Sequence, residues 1–391
     1  MKISTSISFD GLKPKYSQKK LLKIFKNLIS DENQVIKSLG KSYKNSYNSK
    51  LIRKLKKYSQ INLIGMGGSS LGARSIYSFL KNKIKKKIIF LDDLNTKMLI
   101  TNKKKKDLNL IISKSGNTLE TITNVNFFVK KNQKTIFITE NKDSYLRNLA
   151  DTLKDEVVSH NNFIGGRYSV LSEVGMLPAD LMGLNHQKFR QFNNLIKNKN
   201  FIKCLITNVA NILDFIKKKK TNSIILNYDE NSSDLFYWYQ QLVAESLGKK
   251  GKGLLPVISK MPKDNHSLMQ LYLAGPQNNF FTFFFVKEKN EKKIKNKNLL
   301  DQHSYLKNKS LNEISYSQFL ATEKVFKQKK LPYRSFVINS RDEQTLGDLF
   351  IFFILETILL GRAMKINPFD QPAVELIKKQ TKKILISKKY P

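Results

Sequence analysis

Cysteine is almost missing from the chain. Cys204 is the only one among 391 residues, which excludes a disulfide framework. It lies in FIKCLITNVANIL, where apolar residues recur at helical spacing, and this spacing predicts a buried core position. The first residues, MKISTSISFDGLKPKY, lack the continuous apolar stretch of a secretory signal. Together these features favour a location in the reducing cytoplasm.

A long hydrophobic run is also missing. The most apolar segment, LGDLFIFFILETILLG at residues 346–361, carries Asp348 and Glu356 and is shorter than the roughly 20 residues that cross a bilayer. We therefore predict a buried helix here and no association with a membrane. The 391 residues are sufficient for two or three domains, and the apolar 40% of them are sufficient for a large core.

Acidic residues are scarce. The chain has 31 Asp and Glu against 70 Lys and Arg, a formal net charge of +39, which ordinarily indicates a nucleic acid or an anionic membrane as partner. Here the lysines are spread through the whole chain, and runs such as 103–106 and 217–220 fall at the ends of segments. This distribution is typical of solvated surfaces and predicts no specific nucleic-acid partner, although the charge would attract anionic metabolites in general.

The chain does contain a glycine-rich turn, within INLIGMGGSSLG at residues 61–72. The apolar run predicts a buried strand, and the glycines that follow allow positive φ angles and a close approach of the backbone. Ser69 and Ser70 then stand where a helix begins, where free N–H groups and the helix dipole favour an anion. The stretch therefore has the outline of a phosphate site.

A similar unit returns in LNLIISKSGNTLET at residues 108–121. A strand again leads into hydroxyl side chains and a helix, and Ser113, Ser115 and Thr118 can donate hydrogen bonds to phosphate oxygens while Lys114 adds charge. Two such turns at the ends of two strands could face one crevice. In an open parallel sheet that crevice is where ligands bind.

The order of elements predicts an α/β protein with two domains. Five apolar runs alternate with helical patterns between residues 61 and 160, and a second alternating region follows from residue 222. Such alternation is typical of parallel sheets with helices on both faces. We assign the N-terminal helices and the first sheet to residues 1–185 and the second domain to 186–391, and expect helices at 34–46 and at 165–184, the latter broken near Pro178.

Two helical patterns place polar side chains one or two turns apart. FYWYQQLVAESLGKKGKG sets Gln241 and Glu245 on one helical face, and NPFDQPAVELIKK sets Gln371 and Lys378 two turns apart on the closing helix. By themselves such patterns are common on solvated helices, and Glu245 could simply pair with Lys249.

Taken together, five segments resemble the glucose-6-phosphate isomerase family, whose members contain two sugar isomerase (SIS) domains. They are GMGGSSLG, SKSGNTLET, GGRYSVLSEVG, ESLGK and FDQPAVELIKK, and they occur in the family's order between residues 65 and 379. The resemblance implies two αβα sandwiches, a cytoplasmic homodimer and interconversion of glucose 6-phosphate and fructose 6-phosphate. It implies neither a metal nor another cofactor.

The resemblance also implies a role for each matching residue. Glu245 would be the base that moves a proton between C1 and C2, and Arg167 the cation beside the enediolate. His266 and Lys378 would act in opening the sugar ring, and in family dimers the histidine comes from the neighbouring subunit. Ser69, Ser113, Lys114, Ser115 and Thr118 would hold the phosphate, and the pocket would also be lined by Gly68, Glu120, Gly166, Gln241 and Gln371.

Other histidines and other functions compete with these assignments. A second D-x-H-S sequence surrounds His303, but only His266 precedes the helix and apolar strand of the family pattern; we expect His303, His160 and His186 in surface or core positions. A dinucleotide dehydrogenase is disfavoured because Ser70 stands where its fingerprint needs a third glycine. A bifunctional phosphoglucose and phosphomannose isomerase and a non-enzymatic SIS protein that senses sugar phosphates remain alternatives.

Overall fold

The computed structural model describes residues 1–13, 18–94, 107–130, 132–288, 292–295 and 301–387. The lysine run at 103–106 lies outside these residues. The described chain forms two mainly parallel sheets flanked by helices, which confirms the predicted α/β class. The helices are α1 (Lys19–Ile29), α2 (Gln34–Ser38), α3 (Ser49–Leu55), α4 (Leu71–Phe79), α5 (Leu119–Phe128), α6 (Tyr145–Leu153), α7 (Glu173–Leu181), α8 (His186–Phe189), α9 (Phe192–Leu195), α10 (Lys199–Lys217), α11 (Ser233–Leu247), α12 (Met269–Ala274), α13 (Leu311–Gln328), α14 (Glu343–Ala363) and α15 (Val374–Ile386).

The first sheet contains five parallel strands in the order β3-β2-β4-β5-β6. Their bounds are β2 (Gln60–Gly65), β3 (Lys87–Leu91), β4 (Asp107–Ile112), β5 (Thr135–Glu140) and β6 (Glu156–His160). Every residue of β4 is buried, as expected for a central strand covered by helices on both faces. Because Gly65 pairs with Ile112, the glycine turn and the hydroxyl turn leave the same edge of the sheet side by side.

The second sheet has the order β1-β10-β9-β7-β8. Its strands are β1 (Ile7–Asp10), β7 (Asn222–Asn227), β8 (Leu255–Lys260), β9 (Asn279–Val286) and β10 (Tyr333–Ile338). All pairs are parallel except the first, in which β1 runs antiparallel to β10. The first residues of the chain thus join the second sheet, and the division at residue 185 stays a prediction.

The N-terminal region contains less helix than predicted. The expectation of a helix over 34–46 is wrong beyond Ser38, where α2 ends. Tyr43 and Tyr47 lie instead in an irregular segment, and their hydroxyls donate to Glu173 at 3.0 Å and to Asp180 at 2.8 Å. These contacts with two carboxylates of α7 replace the helical turns that local propensity favours.

The predicted break near Pro178 is also wrong. Helix α7 contains Pro178 and continues to Leu181. A proline inside a helix removes one hydrogen bond and costs about 3 kcal/mol. Almost the whole helix is buried, and the packing of side chains such as Met176 and Leu177 offsets that cost.

One hydrophobic core extends across both sheets. It includes Leu63 and Leu110 of the first sheet together with Phe284 and Phe336 of the second. The apolar segment near residue 350 lies within it as α14, as predicted for a buried helix, and no helix among the described residues is long and apolar enough to cross a bilayer. Cys204 lies in this core too, and burial raises the pKa of its thiol to about 11.

Candidate active site

The glycine turn at residues 65–70 follows β2. It lies directly against residues 165–172, which carry Arg167 and which we call the arginine segment. A Cβ atom on Gly68 would stand 2.2 Å from the carbonyl carbon of Gly166, a distance that no real Cβ adopts. Only glycine therefore permits this approach. The contact places the residue after Gly166, Arg167, beside the turn that the sequence predicts as a phosphate site.

Arg167 forms hydrogen bonds with two other parts of the chain, residues 245–246 and residues 368–371, and its side chain is only 1% exposed. Its Nε donates to Ser246 Oγ at 2.8 Å, and its Nη1 donates to Gln371 Oε1 at 2.6 Å and to Glu245 Oε2 at 3.3 Å. Its Nη2 donates to the backbone carbonyls of residues 368 and 370. The guanidinium is thus held in one orientation with its charge next to a carboxylate.

Gln241 and Glu245 share one face of α11, as predicted. Gln241 Nε2 donates to Glu245 Oε2 at 3.3 Å, while Gln241 Oε1 is buried and has no hydrogen-bond partner among the described residues. The alternative pairing of Glu245 with Lys249 is wrong, because Lys249 Nζ lies 2.8 Å from Asp370 and donates to the Asn367 carbonyl.

Glu245 faces a cavity of 580 Å³ between the end of α11 and the segment before α15. The Glu245 side chain is 24% exposed, so an incoming molecule can reach it. The cavity is lined by Ala244, Glu245, Gly248, Lys249, Lys250, Ile366, Asn367, Asp370, Gln371, Pro372, Ala373 and Val374. A partly exposed carboxylate, a guanidinium held in one orientation and a space for a small molecule therefore occur together.

The hydroxyl turn after β4 is compact and precedes a helix of ten residues, α5. Ser113 Oγ and Thr118 Oγ1 lie 2.9 Å apart, and Ser115 Oγ accepts from the Asn117 N–H at 3.2 Å. Thr118 is the N-cap residue, and Glu120 lies in the first turn. The free N–H groups of this turn and the clustered hydroxyls suit a phosphate.

Lys114 differs from the hydroxyl residues around it. Its Nζ donates to the Asn162 carbonyl at 2.7 Å and lies 3.2 Å from Glu140. In this arrangement Lys114 links the hydroxyl turn to the loop before the arginine segment. Its predicted contact with a phosphate stays a prediction.

The closing helix differs from the predicted one. Helix α15 begins at Val374, so Gln371 lies in the preceding turn and does not share a helical face with Lys378. Gln371 still reaches Arg167 from that turn, whose backbone carbonyls at residues 368 and 370 also accept from the guanidinium. Lys378 is exposed and forms an ion pair with Glu375 at 2.7 Å.

His266 lies at the opposite end of β8 from Glu245. Helix α11 packs on β8 and ends at Leu247, before the strand begins, whereas His266 is exposed in the turn Lys263–His266 that follows the strand. A strand of six residues extends about 20 Å, so one chain does not bring the two side chains together. The expectation that His266 acts in a neighbouring subunit's site stays a prediction.

The other histidines occupy the surface and core positions predicted for them. His160 is buried against Glu173, His186 is paired with Asp180, and His303 is exposed. The sequence reasoning missed Ser246 and the backbone carbonyls that hold Arg167. Ser246 follows Glu245 directly in the ESLGK motif, but backbone acceptors have no residue signature from which they could be predicted.

Comparisons with known proteins agree with this arrangement. The family model described as phosphoglucose isomerase matches residues 23–257. A glucose-6-phosphate isomerase of Mycoplasmopsis pulmonis is 34% identical over 83% of this chain and 82% of its own, and one of Methanocaldococcus jannaschii is 31% identical over 84% of each.

Solved structures share the fold. A hypothetical protein of Thermus thermophilus has a TM-score of 0.81 at 22% identity, with 94% of both chains covered. A glucose-6-phosphate isomerase of Chlamydia trachomatis has a TM-score of 0.69 at 19% identity, with 88% of this chain and 73% of its own covered. At these identities the likeness concerns the fold alone.

Proposed function

The chain belongs to the phosphoglucose isomerase family. We propose that it is an aldose–ketose isomerase that interconverts glucose 6-phosphate and fructose 6-phosphate, a step of glycolysis and gluconeogenesis. The observation that carries the proposal is the contact of the buried Arg167 with Glu245 at the edge of a 580 Å³ cavity. An isomerase of this class needs one carboxylate and one fixed cation at the reacting carbons.

Glu245 acts as the base. It removes the proton from the carbon next to the carbonyl, C2 of the aldose or C1 of the ketose, and returns it to the neighbouring carbon, while the hydroxyl proton moves between O2 and O1. Negative charge develops on O1 and O2 in the cis-enediolate between these steps. The Arg167 guanidinium stabilises this charge because it is already oriented and is shielded from water, with a side chain only 1% exposed.

The phosphate binds at the edge of the first sheet. Ser113, Ser115 and Thr118 donate hydroxyl hydrogen bonds, and Ser69 contributes from the neighbouring glycine turn. The N–H groups at the start of α5 complete the cradle. Gln241 Nε2 donates to Glu245 Oε2 at 3.3 Å and so helps to orient the base.

Opening the sugar ring requires a second subunit in this proposal. His266 is exposed and lies at the far end of β8 from Glu245, so a homodimer that brings it to the partner's site supplies the missing acid–base group. Lys378 of the exposed helix α15 is the second candidate group. We place the enzyme in the cytoplasm, where its single buried thiol stays reduced.

A coupled assay tests the proposal. The protein is supplied with fructose 6-phosphate, and the formation of glucose 6-phosphate and of mannose 6-phosphate is followed by two separate coupling enzymes. We expect glucose 6-phosphate to form. Formation of both products at comparable rates would identify a dual isomerase, and a lack of turnover to either product would refute the proposed function.

A further inference from the structure

Two similar groups of side chains hold the two ends of α7. At its start Tyr43 OH donates to Glu173, which is paired with His160; we call this set the Glu173 group. Near its end Tyr47 OH donates to Asp180, which is paired with His186, and this set is the Asp180 group. The two tyrosines belong to one irregular segment. Each end of α7 is therefore held by a tyrosine, a carboxylate and a histidine.

The Glu173 group is the more deeply buried of the two. The side chains of His160 and Glu173 are 1% and 2% exposed, against 25% and 12% for His186 and Asp180. His160 Nδ1 lies 2.5 Å from Glu173 Oε1. Burial by itself raises the pKa of Glu173, but the hydrogen bonds from His160 and the Asn161 N–H lower it below its ordinary value. The carboxylate is thus ionised and fully bonded.

The Glu173 group closes the loop that carries the arginine. Glu173 Oε1 accepts from the Asn161 N–H at 2.9 Å, where residues 161–172 begin, and Glu173 itself follows their end. His160 Nε2 lies 3.0 Å from the Ile164 carbonyl, just before Gly165, Gly166 and Arg167. Both ends of the 161–172 loop therefore meet at a single carboxylate.

The start of α7 also packs directly on this segment. A Cβ atom on Gly175 would lie 2.0 Å from the Val170 carbonyl oxygen, so helix and segment are in backbone contact. A displacement at Glu173 consequently moves the segment as well. The Asp180 group lies about 10 Å further along the helix and makes no hydrogen bond to the described residues 161–172.

We propose that Glu173 and His160 are positioning residues for Arg167: they close the 161–172 loop so that the guanidinium meets the charge that develops on the substrate. This inference rests on the proposed function, because it concerns the rate of the isomerisation. The weakest contact of Arg167 is the 3.3 Å hydrogen bond to Glu245. A small shift of the 161–172 loop therefore first changes the position of the guanidinium relative to Glu245 and the reacting carbons.

The experiment compares Glu173→Gln with Asp180→Asn. Both replace a paired carboxylate on α7 by its amide, but only the first lies at the base of the arginine loop. We expect Glu173→Gln to lower kcat by about 10- to 100-fold with KM changed by less than about threefold, because a displacement of about 1 Å costs that much when it affects only the transition state. Asp180→Asn should keep kcat within about twofold of wild type.

The assay separates this inference from the function on which it depends. An inactive wild-type protein would refute the proposed isomerase function. An active wild type, with Glu173→Gln equal in kcat to Asp180→Asn, would refute the positioning role. Melting temperatures measure the loss of stability in each variant. Equal losses of stability together with unequal losses of kcat would support the positioning role.

A double substitution tests whether Glu173 acts through Arg167. In an Arg167→Lys background, Glu173→Gln should lower kcat by less than about twofold further, because the group that it positions is already altered. A loss as large as in the wild-type background would overturn the inference. If Glu173→Gln does not fold, Tyr43→Phe and Tyr47→Phe provide the milder pair. The first removes the hydrogen bond to Glu173, and the second removes the bond to Asp180 and the one accepted from Asn45. Only the first should lower kcat, and equal effects would again overturn the inference.

Discussion

At the scale of single residues, the proposed reaction depends on Glu245. Its Oε2 accepts from both Arg167 and Gln241, and its side chain is reachable from the cavity. Replacing it by Gln keeps the shape of the side chain but removes the base. We expect Glu245→Gln to lower kcat by about 10²- to 10⁴-fold while binding of the sugar phosphate is nearly unchanged, as measured by the coupled assay and by calorimetry.

Glu230 provides the matched control for that substitution. It lies in the turn just before α11 and forms an exposed ion pair with Lys260. Glu230→Gln should leave kcat within about twofold of wild type. A Glu245→Gln variant with wild-type turnover would remove Glu245 from the role of base.

A second residue predicts how stability depends on pH. Asp348 is buried in α14, and its Oδ1 has no hydrogen-bond partner among the described residues. Burial, together with the nearby Asp342, raises the pKa of Asp348 to about 7. Between pH of about 4 and 7 the folded protein retains a proton that the unfolded chain has released, so its stability falls as pH rises through this window.

Asp348→Asn removes the titration. The free energy of unfolding of the variant should exceed that of wild type by an amount that grows by up to about 3 kcal/mol between pH 5 and pH 8. Urea unfolding of both proteins at pH 5, 6.5 and 8 measures this difference. An equal difference at all three values would show that Asp348 is already ionised in the folded state.

Much of the candidate site could be predicted at this scale, because its chemistry requires particular residue types close together in the sequence. Glu245, Gln241 and the hydroxyl turns lie in short segments whose residue types suit a proton transfer and a phosphate. The geometry of Lys378 could not be predicted, because the beginning of α15 at Val374 decides where that side chain points. His266 could be chosen from its surroundings in sequence but not placed beside Glu245.

At the scale of secondary structure, the site depends on the contact between the turn after β2 and the arginine segment. Gly68→Ala would place a methyl group 2.2 Å from the Gly166 carbonyl carbon and force the two backbones apart. We expect a loss of kcat of about 100-fold or more, because the guanidinium moves away from the turn, together with a lower melting temperature.

Gly165→Ala is the control for this contact. Its Cβ would meet its nearest neighbour, a ring carbon of Tyr168, at 4.0 Å, which is an ordinary separation. This variant should keep most of its activity and stability. Equal behaviour of the two alanine variants would argue against a required close approach at Gly68.

The strands were easier to predict than the irregular segments. Buried parallel strands appear as continuous apolar runs, and β2 and β4 match those runs closely. Strand β1 has only four residues and pairs with β10, more than 300 residues away, so no local pattern indicates it. The early end of α2 has the same cause, since the partners of Tyr43 and Tyr47 lie on α7, far along the chain.

At the scale of the whole molecule, the proposal requires two subunits at each site. Subunits carrying Glu245→Gln and subunits carrying His266→Ala should each be nearly inactive alone. Mixed in equal amounts and reassembled, they should recover about one quarter of the wild-type activity, because half of the dimers are mixed and each of those has one intact site. Activity equal to the mean of the two separate variants would place both residues in the site of one chain.

The central claim is that one carboxylate carries a proton between adjacent carbons, and an isotope experiment tests it most directly. Fructose 6-phosphate is converted in deuterium oxide, and the glucose 6-phosphate formed is analysed by NMR. Because Glu245 is 24% exposed, the proton that it holds can exchange with solvent before it is returned. We predict deuterium at C2 in part of the product, transferred hydrogen at C2 in the remainder, and loss of this conversion in Glu245→Gln; undiminished conversion by the variant would contradict the claim.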